Sequence, residues 1–162
     1  MTSFKELLQK LIGTRVIIAT TGEREVFPLV RFEGRIAKVG VDFVILRISA
    51  SRSVIIRIAE IVELRKSQRS SPLSKPSKTR GPFNQTFVNL VRKLIGRRVV
   101  VFTTARAGRF APDDEIFNEV TGELAAMDTD FIVIIDGETR RRRVIRIAEI
   151  VAISVMRKQR RT

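Results

Sequence analysis

The chain has 162 residues, with 31 Lys and Arg against 17 Asp and Glu, giving a net charge of +14. It holds no Cys and no His, which removes thiol nucleophiles, disulfide staples and His-ligated metal centres from consideration. Apolar residues make up 44 %, enough for a packed core, yet no apolar run approaches the roughly 18–20 residues of a membrane-spanning helix.

At the start, MTSFKELLQK lacks the apolar stretch of a signal peptide, so a soluble, cytoplasmic protein is expected. Ser3 and Glu6 have the spacing of a capping box. Phe4, Leu7, Leu8, Leu11 and Ile12 then recur at helical spacing, which predicts an amphipathic helix stopped by Gly13. RVIIATT, VRFEGRIAKV, DFVILRIS, SVIIRI and IVEL follow as β-branched stretches separated by polar or Gly-containing breaks, about five strands. The Gly of FEG marks a bend in the second of them.

Residues 67–86, SQRSSPLSKPSKTRGPFNQT, contain five Ser, three Pro and no acid, the composition of a flexible basic linker. Beyond it the first pattern returns. FVNLVRKLIGRRVVVFTT (87–104) matches FKELLQKLIGTRVIIATT (4–21) without a gap, and Phe87, Leu90, Val91, Leu94 and Ile95 repeat the helical spacing up to Gly96. VTGELAAMDTDFIVI matches FEGRIAKVGVDFVIL, keeping Gly34/Gly122 and the Asp-Phe pairs at 42–43 and 130–131. The heptapeptide IRIAEIV closes both copies, at Ile56–Val62 and Ile145–Val151. The offset between copies grows from 83 to 88 to 89, and the extra residues fall in turn-like sequence, around ARAGRFAPDDE and before the second Arg run. The organisation read from this is a first unit at 1–66, a linker at 67–86 and a second unit with a basic tail at 87–162. A helix and five short strands in about 60 residues suit a small, strongly bent barrel, so a mainly β fold with two tandem barrels is expected.

The charge is spread evenly. Residues 1–66 carry a net +5, the linker +4 and residues 87–162 +5. Such a chain attracts polyanions, nucleic acid first among them. Arg140, Arg141, Arg142 and Arg143 follow the turn signal DGET, and four consecutive arginines repel one another unless an anion neutralises them. Arg157, Lys158, Arg160 and Arg161 form a second cluster in the tail, and KPSKTR a third in the linker. PDDE (112–115), with Glu119 nearby, is the one acidic cluster and reads as a solvated loop rather than a cation site. No nucleophile elbow, P-loop or dinucleotide fingerprint is present, so neither enzyme activity nor a cofactor or metal is expected.

FEGRIAKVGVDFVILR and IIRIAEIVEL resemble the two signatures of the Sm-like family, which includes the Sm and Lsm proteins and the bacterial RNA chaperone Hfq. The resemblance implies tandem SH3-like, Sm-like barrels, each with an N-terminal helix, and RNA before DNA as ligand. It implies that Phe43 and Phe131 stack on bases and that Arg57 and Arg146 face the RNA. It also implies units that pair edge to edge, fourth strand to fifth, so that three chains form a pseudo-hexameric ring. Where the family carries Gly-Asp or Gly-Asn after the Arg, this chain has Ile58-Ala59 and Ile147-Ala148. LIG-x-R-V and the IRI-x-x-I-V end are similar to small spore-associated β modules of Firmicutes, which implies a structural or assembly role on an anionic matrix or protein partner. Two residue-level alternatives stay open. Phe43 and Phe131 also read as core residues of a strand, and Arg57 and Arg146 as surface residues or ion partners of Glu60 and Glu149.

Overall fold

The computed structural model describes residues 2–21, 31–68, 84–104 and 119–156. The first copy contains α1 (Phe4–Lys10), β1 (Arg15–Thr20), β2 (Arg31–Val39), β3 (Phe43–Arg47), β4 (Arg52–Arg57) and β5 (Ile61–Lys66). The second contains α2 (Phe87–Arg92), β6 (Arg98–Thr103), β7 (Glu119–Met127), β8 (Phe131–Asp136), β9 (Arg142–Arg146) and β10 (Ile150–Met156). A 3-10 turn joins the last two strands of each copy, at Ile58–Glu60 and Ile147–Glu149, so IRIAEIV spans the end of one strand, the turn and the start of the next.

Local sequence accounts for most of these boundaries. The Ser3 hydroxyl accepts from the Glu6 amide while the Glu6 carboxylate accepts from the Ser3 amide, the reciprocal cap that the spacing predicts. Thr86 caps α2 through the Asn89 amide. Gly13 and Gly96 end the two helices at φ 86° and 88°, a left-handed conformation that costs glycine nothing. Gly34 and Gly122 have another reason to be glycine: a Cβ at Gly34 would lie 2.6 Å from the Arg47 carbonyl oxygen, and one at Gly122 would strike that of Ile135. The register shifts between Ile36 and Lys38 on β2 and between Leu124 and Ala126 on β7, the same place in both copies.

The ten strands form one open antiparallel sheet in the order β5-β1-β2-β3-β4-β10-β6-β7-β8-β9. Each copy has the same internal order, and the copies join where β4 pairs with β10, from Ala152 opposite Ile56 to Met156 opposite Arg52. The expected pairing of a fourth strand with the fifth of another unit therefore occurs inside the chain. In place of two separate sheets there is a continuous one, with β5 and β9 at its edges.

The apolar interior is shared in the same way. Phe43 and Ile55 of the first copy pack into the core of the second, with Phe87, Val91 and Ile153. Val151 and Ala152 of the second copy pack into the core of the first, with Val44 and Ile56. Strand alternation explains how: Phe43 and Ile45 face the second copy's core while Val44 and Leu46 face the first. The Phe32 and Phe102 rings meet edge to face across the junction, centroids 5.1 Å apart.

Candidate nucleic-acid interface

One register row crosses eight of the ten strands, from Arg15 on β1 to Asp136 on β8, and basic residues gather on it and beside it. Arg15 lies opposite Arg35, Arg35 opposite Arg47, and Arg47 opposite Ser53. The row continues through Val155, Val99 and Gly122 to Asp136, while Lys66, opposite Val16, and Arg142, opposite Ile135, each stand one residue off it. Arg52 and Arg98 stand one residue off it, beside Ser53 and Val99. The hairpin tips after β3 and β8 end on this row, and so does β10. Arg47, Arg52, Arg98, Arg140, Arg141 and Arg142 are all exposed there.

The guanidinium groups are partly anchored. Arg52 donates from Nε to the Ser154 hydroxyl (2.8 Å), and Arg97 from Nη2 to the Met156 carbonyl (2.8 Å). Arg15 pairs with Glu33 at 3.3 Å, and Glu33 also accepts from the Ser67 hydroxyl at 2.6 Å. A cleft of about 730 Å³ opens between Arg97, Arg98, Gly122, Asp136 and Arg140. The Asp136 carboxylate accepts from the Glu138 and Thr139 amides, which holds its pKa below the usual carboxylate range, helped by the nearby Arg143 charge. Arg140 takes a left-handed backbone (φ 54°) in this turn, uncommon for a residue with a side chain.

Acidic residues collect at the far ends of the same hairpins and are used internally. Asp42 accepts from the Phe87 amide (2.7 Å), Glu60 from the Thr21 hydroxyl (2.5 Å), and Glu149 from the Thr104 hydroxyl. At the basic end Glu33 pairs with Arg15, Glu123 lies opposite Arg98 and Asp136 ends the row, among arginines that are more numerous and exposed. Cross-strand neighbours of like sign repel, so a row of this kind gains from an anion laid along it.

The residues singled out in the sequence divide into three groups. Arg140 to Arg143 lie in the β8–β9 turn and the start of β9, beside the end of the basic row. Arg157, Lys158, Arg160 and Arg161 lie outside the described residues, as do residues 112–115 and linker residues 69–83. Phe43, Phe131, Arg57 and Arg146 stand at the opposite end of their strands, as two register pairs, Phe43 with Arg57 and Phe131 with Arg146. The Phe43 ring is fully buried between the copies. Arg57 reaches across the junction between the copies. Its Nη1 donates to the carbonyls of Ile147 (3.1 Å), Ala148 (3.4 Å) and Ile150 (3.2 Å), and its guanidinium lies 5.8 Å from the Phe87 ring centroid. Phe131 is half-buried and Arg146 exposed.

Sequence reading missed Arg15, Arg35, Arg47, Arg52, Arg97 and Arg98 as one feature, since each is isolated or paired in the sequence and only cross-strand register aligns them. Strand ends next to turns were the available signal. Among the described residues no three acidic side chains come together as a metal site, and no helix is long and apolar enough to cross a membrane. Compared with protein-family models and with curated proteins, the chain matches none.

Proposed function

We propose that the protein is a non-enzymatic nucleic-acid-binding protein of low sequence specificity, acting in the cytoplasm through phosphate contacts along the basic row. The observation that carries this reading is the gathering of Arg15, Arg35 and Arg47 on one register row of a single sheet, with Lys66, Arg52, Arg98 and Arg142 one residue off it. Phosphates are spaced regularly along a strand, so a row of cations on a rigid sheet matches the backbone without reading bases. The Sm-like resemblance puts RNA before DNA. The same resemblance, the repeated strand order and the shared register shift support reading each copy as an SH3-like barrel. They also support a three-chain ring of six such units.

Fluorescence anisotropy of a labelled single-stranded RNA, titrated over a range of salt, tests the reading against inorganic polyphosphate as a non-nucleic polyanion. Affinity for RNA should fall steeply with salt. Replacing Arg47, Arg52 and Arg98 by Gln should flatten the log–log slope by about 0.7 for each phosphate no longer neutralised. An unchanged slope removes the row from the interface, and equal affinity for both polyanions removes nucleic acid as the preferred ligand.

A further inference from the structure

The internal junction is a template for the two edges of the sheet. Every element of the β4–β10 contact has a counterpart on β9 or β5, and the counterparts differ in burial as an unused interface should. Phe87 is 1 % exposed but its equivalent Phe4 is 40 %; Val151 is 2 % but Val62 is 46 %; Ile55 is 3 % but Val144 is 66 %. The polar contacts are duplicated too. Asp130 stands where Asp42 caps the Phe87 amide, and Arg146 stands where Arg57 reaches three carbonyls of the facing turn. Carried over by the repeat, Arg146 would meet the carbonyls of Ile58, Ala59 and Ile61 in a second copy and lie against its Phe4 ring.

Five side chains break the likeness: Glu63 takes the place of the buried Ala152, and four cations stand on the rungs beyond it. Shifted by the 89-residue offset of the heptapeptides, the β4–β10 register places Ile145 opposite Glu63, Val144 opposite Leu64, Arg143 opposite Arg65, and Arg142 opposite Lys66 of a second copy. In the internal junction the corresponding two rungs are Val54 with Ser154 and Ser53 with Val155, and Arg52 with Met156 follows them. Arg52, which donates to Ser154 there, has Arg141 as its counterpart, facing Arg65. Two neutral rungs thus become cation against cation, and directly opposed like charges destabilise a strand pair. Charged edge residues of this kind also keep sheets from joining indiscriminately.

We propose that β9 of one chain pairs with β5 of the next in the register of the internal junction, and that the Arg142–Lys66 and Arg143–Arg65 rungs keep this contact open until an anion neutralises them. The gate is the new element: it rests on the proposed ring for the edge pairing and on the nucleic-acid reading for the nature of that anion. Because the opposed cations lie beside the ends of the basic row, a phosphate backbone bound along the row covers the charges that hold the edges apart. Binding and head-to-tail assembly then favour each other, as linkage requires when both draw on the same neutralisation.

The mass of the full chain in solution, by sedimentation or light scattering, tests this. Wild type should stay monomeric at low salt and associate as NaCl rises from about 0.01 M to 1 M, over which the Debye length falls from about 30 Å to about 3 Å. At low salt an oligoribonucleotide of roughly ten residues should cause the same association. Copying the junction's neutral residues onto the edges, with Arg142→Ser, Arg143→Val, Arg65→Ser and Lys66→Val together, should tighten self-association about tenfold at low salt without any anion. Val144→Glu should still bind the oligonucleotide yet show no rise in mass. Wild type associating at low salt as well as the quadruple variant would remove the gate. A quadruple variant that stays monomeric throughout would remove the edge pairing. A mass rise in Val144→Glu equal to wild type would mean that the oligonucleotide merely bridges chains. If salt and the quadruple variant act as expected while RNA does not bind, the nucleic-acid reading fails and the gate stands.

Discussion

The two copies of the repeat are most alike where each folds on its own strands and least alike where one meets the other. β10 reads IVAISVM and is buried on both faces up to Met156, because both cores close over it; β5, its counterpart, reads IVELRK and keeps four of its six residues exposed. β4 carries Ser53 and Val54 where β9 carries Arg142 and Arg143. The same architecture, placed once inside the molecule and once at its margin, takes neutral side chains in one place and cations in the other. Local fold does not require the difference, since β5 and β9 pair with their own neighbours as regularly as β10 and β4 do. The environment of the far side of each strand does.

Substitutions at equivalent positions sharpen this comparison. The largest expected contrast is Phe87→Ala against Phe4→Ala. Phe87 is enclosed by Phe43, Ile55 and Val91, so its removal should cost about 3–5 kcal/mol through transfer and cavity terms. Phe4 is exposed in the single chain, and the same truncation there should stay within about 0.5 kcal/mol. Denaturant unfolding of both variants at low salt measures the difference, and equal effects would break the comparison.

Next comes Arg57→Ala against Arg146→Ala. Removing Arg57 leaves three junction carbonyls without their shared donor, at a cost of about 1.5–3 kcal/mol for a charge-assisted interaction. Arg146→Ala should leave the stability of the monomer unchanged, and the same unfolding measurement reads both.

The smallest effect concerns the β8–β9 turn. Asp136 titrates below its unfolded value because the Glu138 and Thr139 amides bond its charged form. The stabilisation is therefore complete above the ordinary carboxylate pKa of about 4 and disappears as pH falls through the lower folded value. The protection of the Glu138 and Thr139 amides, relative to their intrinsic exchange rates, should fall in that acid window, and Asp136→Asn should abolish that step. The first copy turns at Ser49–Ser51 without a carboxylate and should show no such step.

Much of the fold is legible in the sequence because its signals are local. The capping box at Ser3 and Glu6, the glycines ending each helix and the alternation within RVIIAT or FVILR act within a few residues. The gapless match of 4–21 to 87–104 marks a shared unit. The site is less legible. Arg140 to Arg143 stand out as a run, but Arg98 is distant in sequence from Arg47 and Arg52 and comes near them only through register. Phe43 and Arg57 are visible as repeated residues and suggest a ligand, whereas the structure gives them to the second copy. Repetition marks a position that both copies keep, and a contact between copies preserves a residue as firmly as a ligand does.

By itself the sequence determined the units: which residues form helix or strand, where each unit ends, and how much positive charge it carries. These follow from spacing, capping and composition, which the chain states directly. Tertiary structure alone decided that β4 joins β10, that one sheet replaces two, and that scattered arginines form a row. Those outcomes depend on which strand edges meet. Backbone edges present nearly the same hydrogen-bonding groups whatever the sequence, so the choice falls to packing on both faces of the strand. At β10 that packing is neutral and complete; at β5 and β9 it waits behind opposed cations.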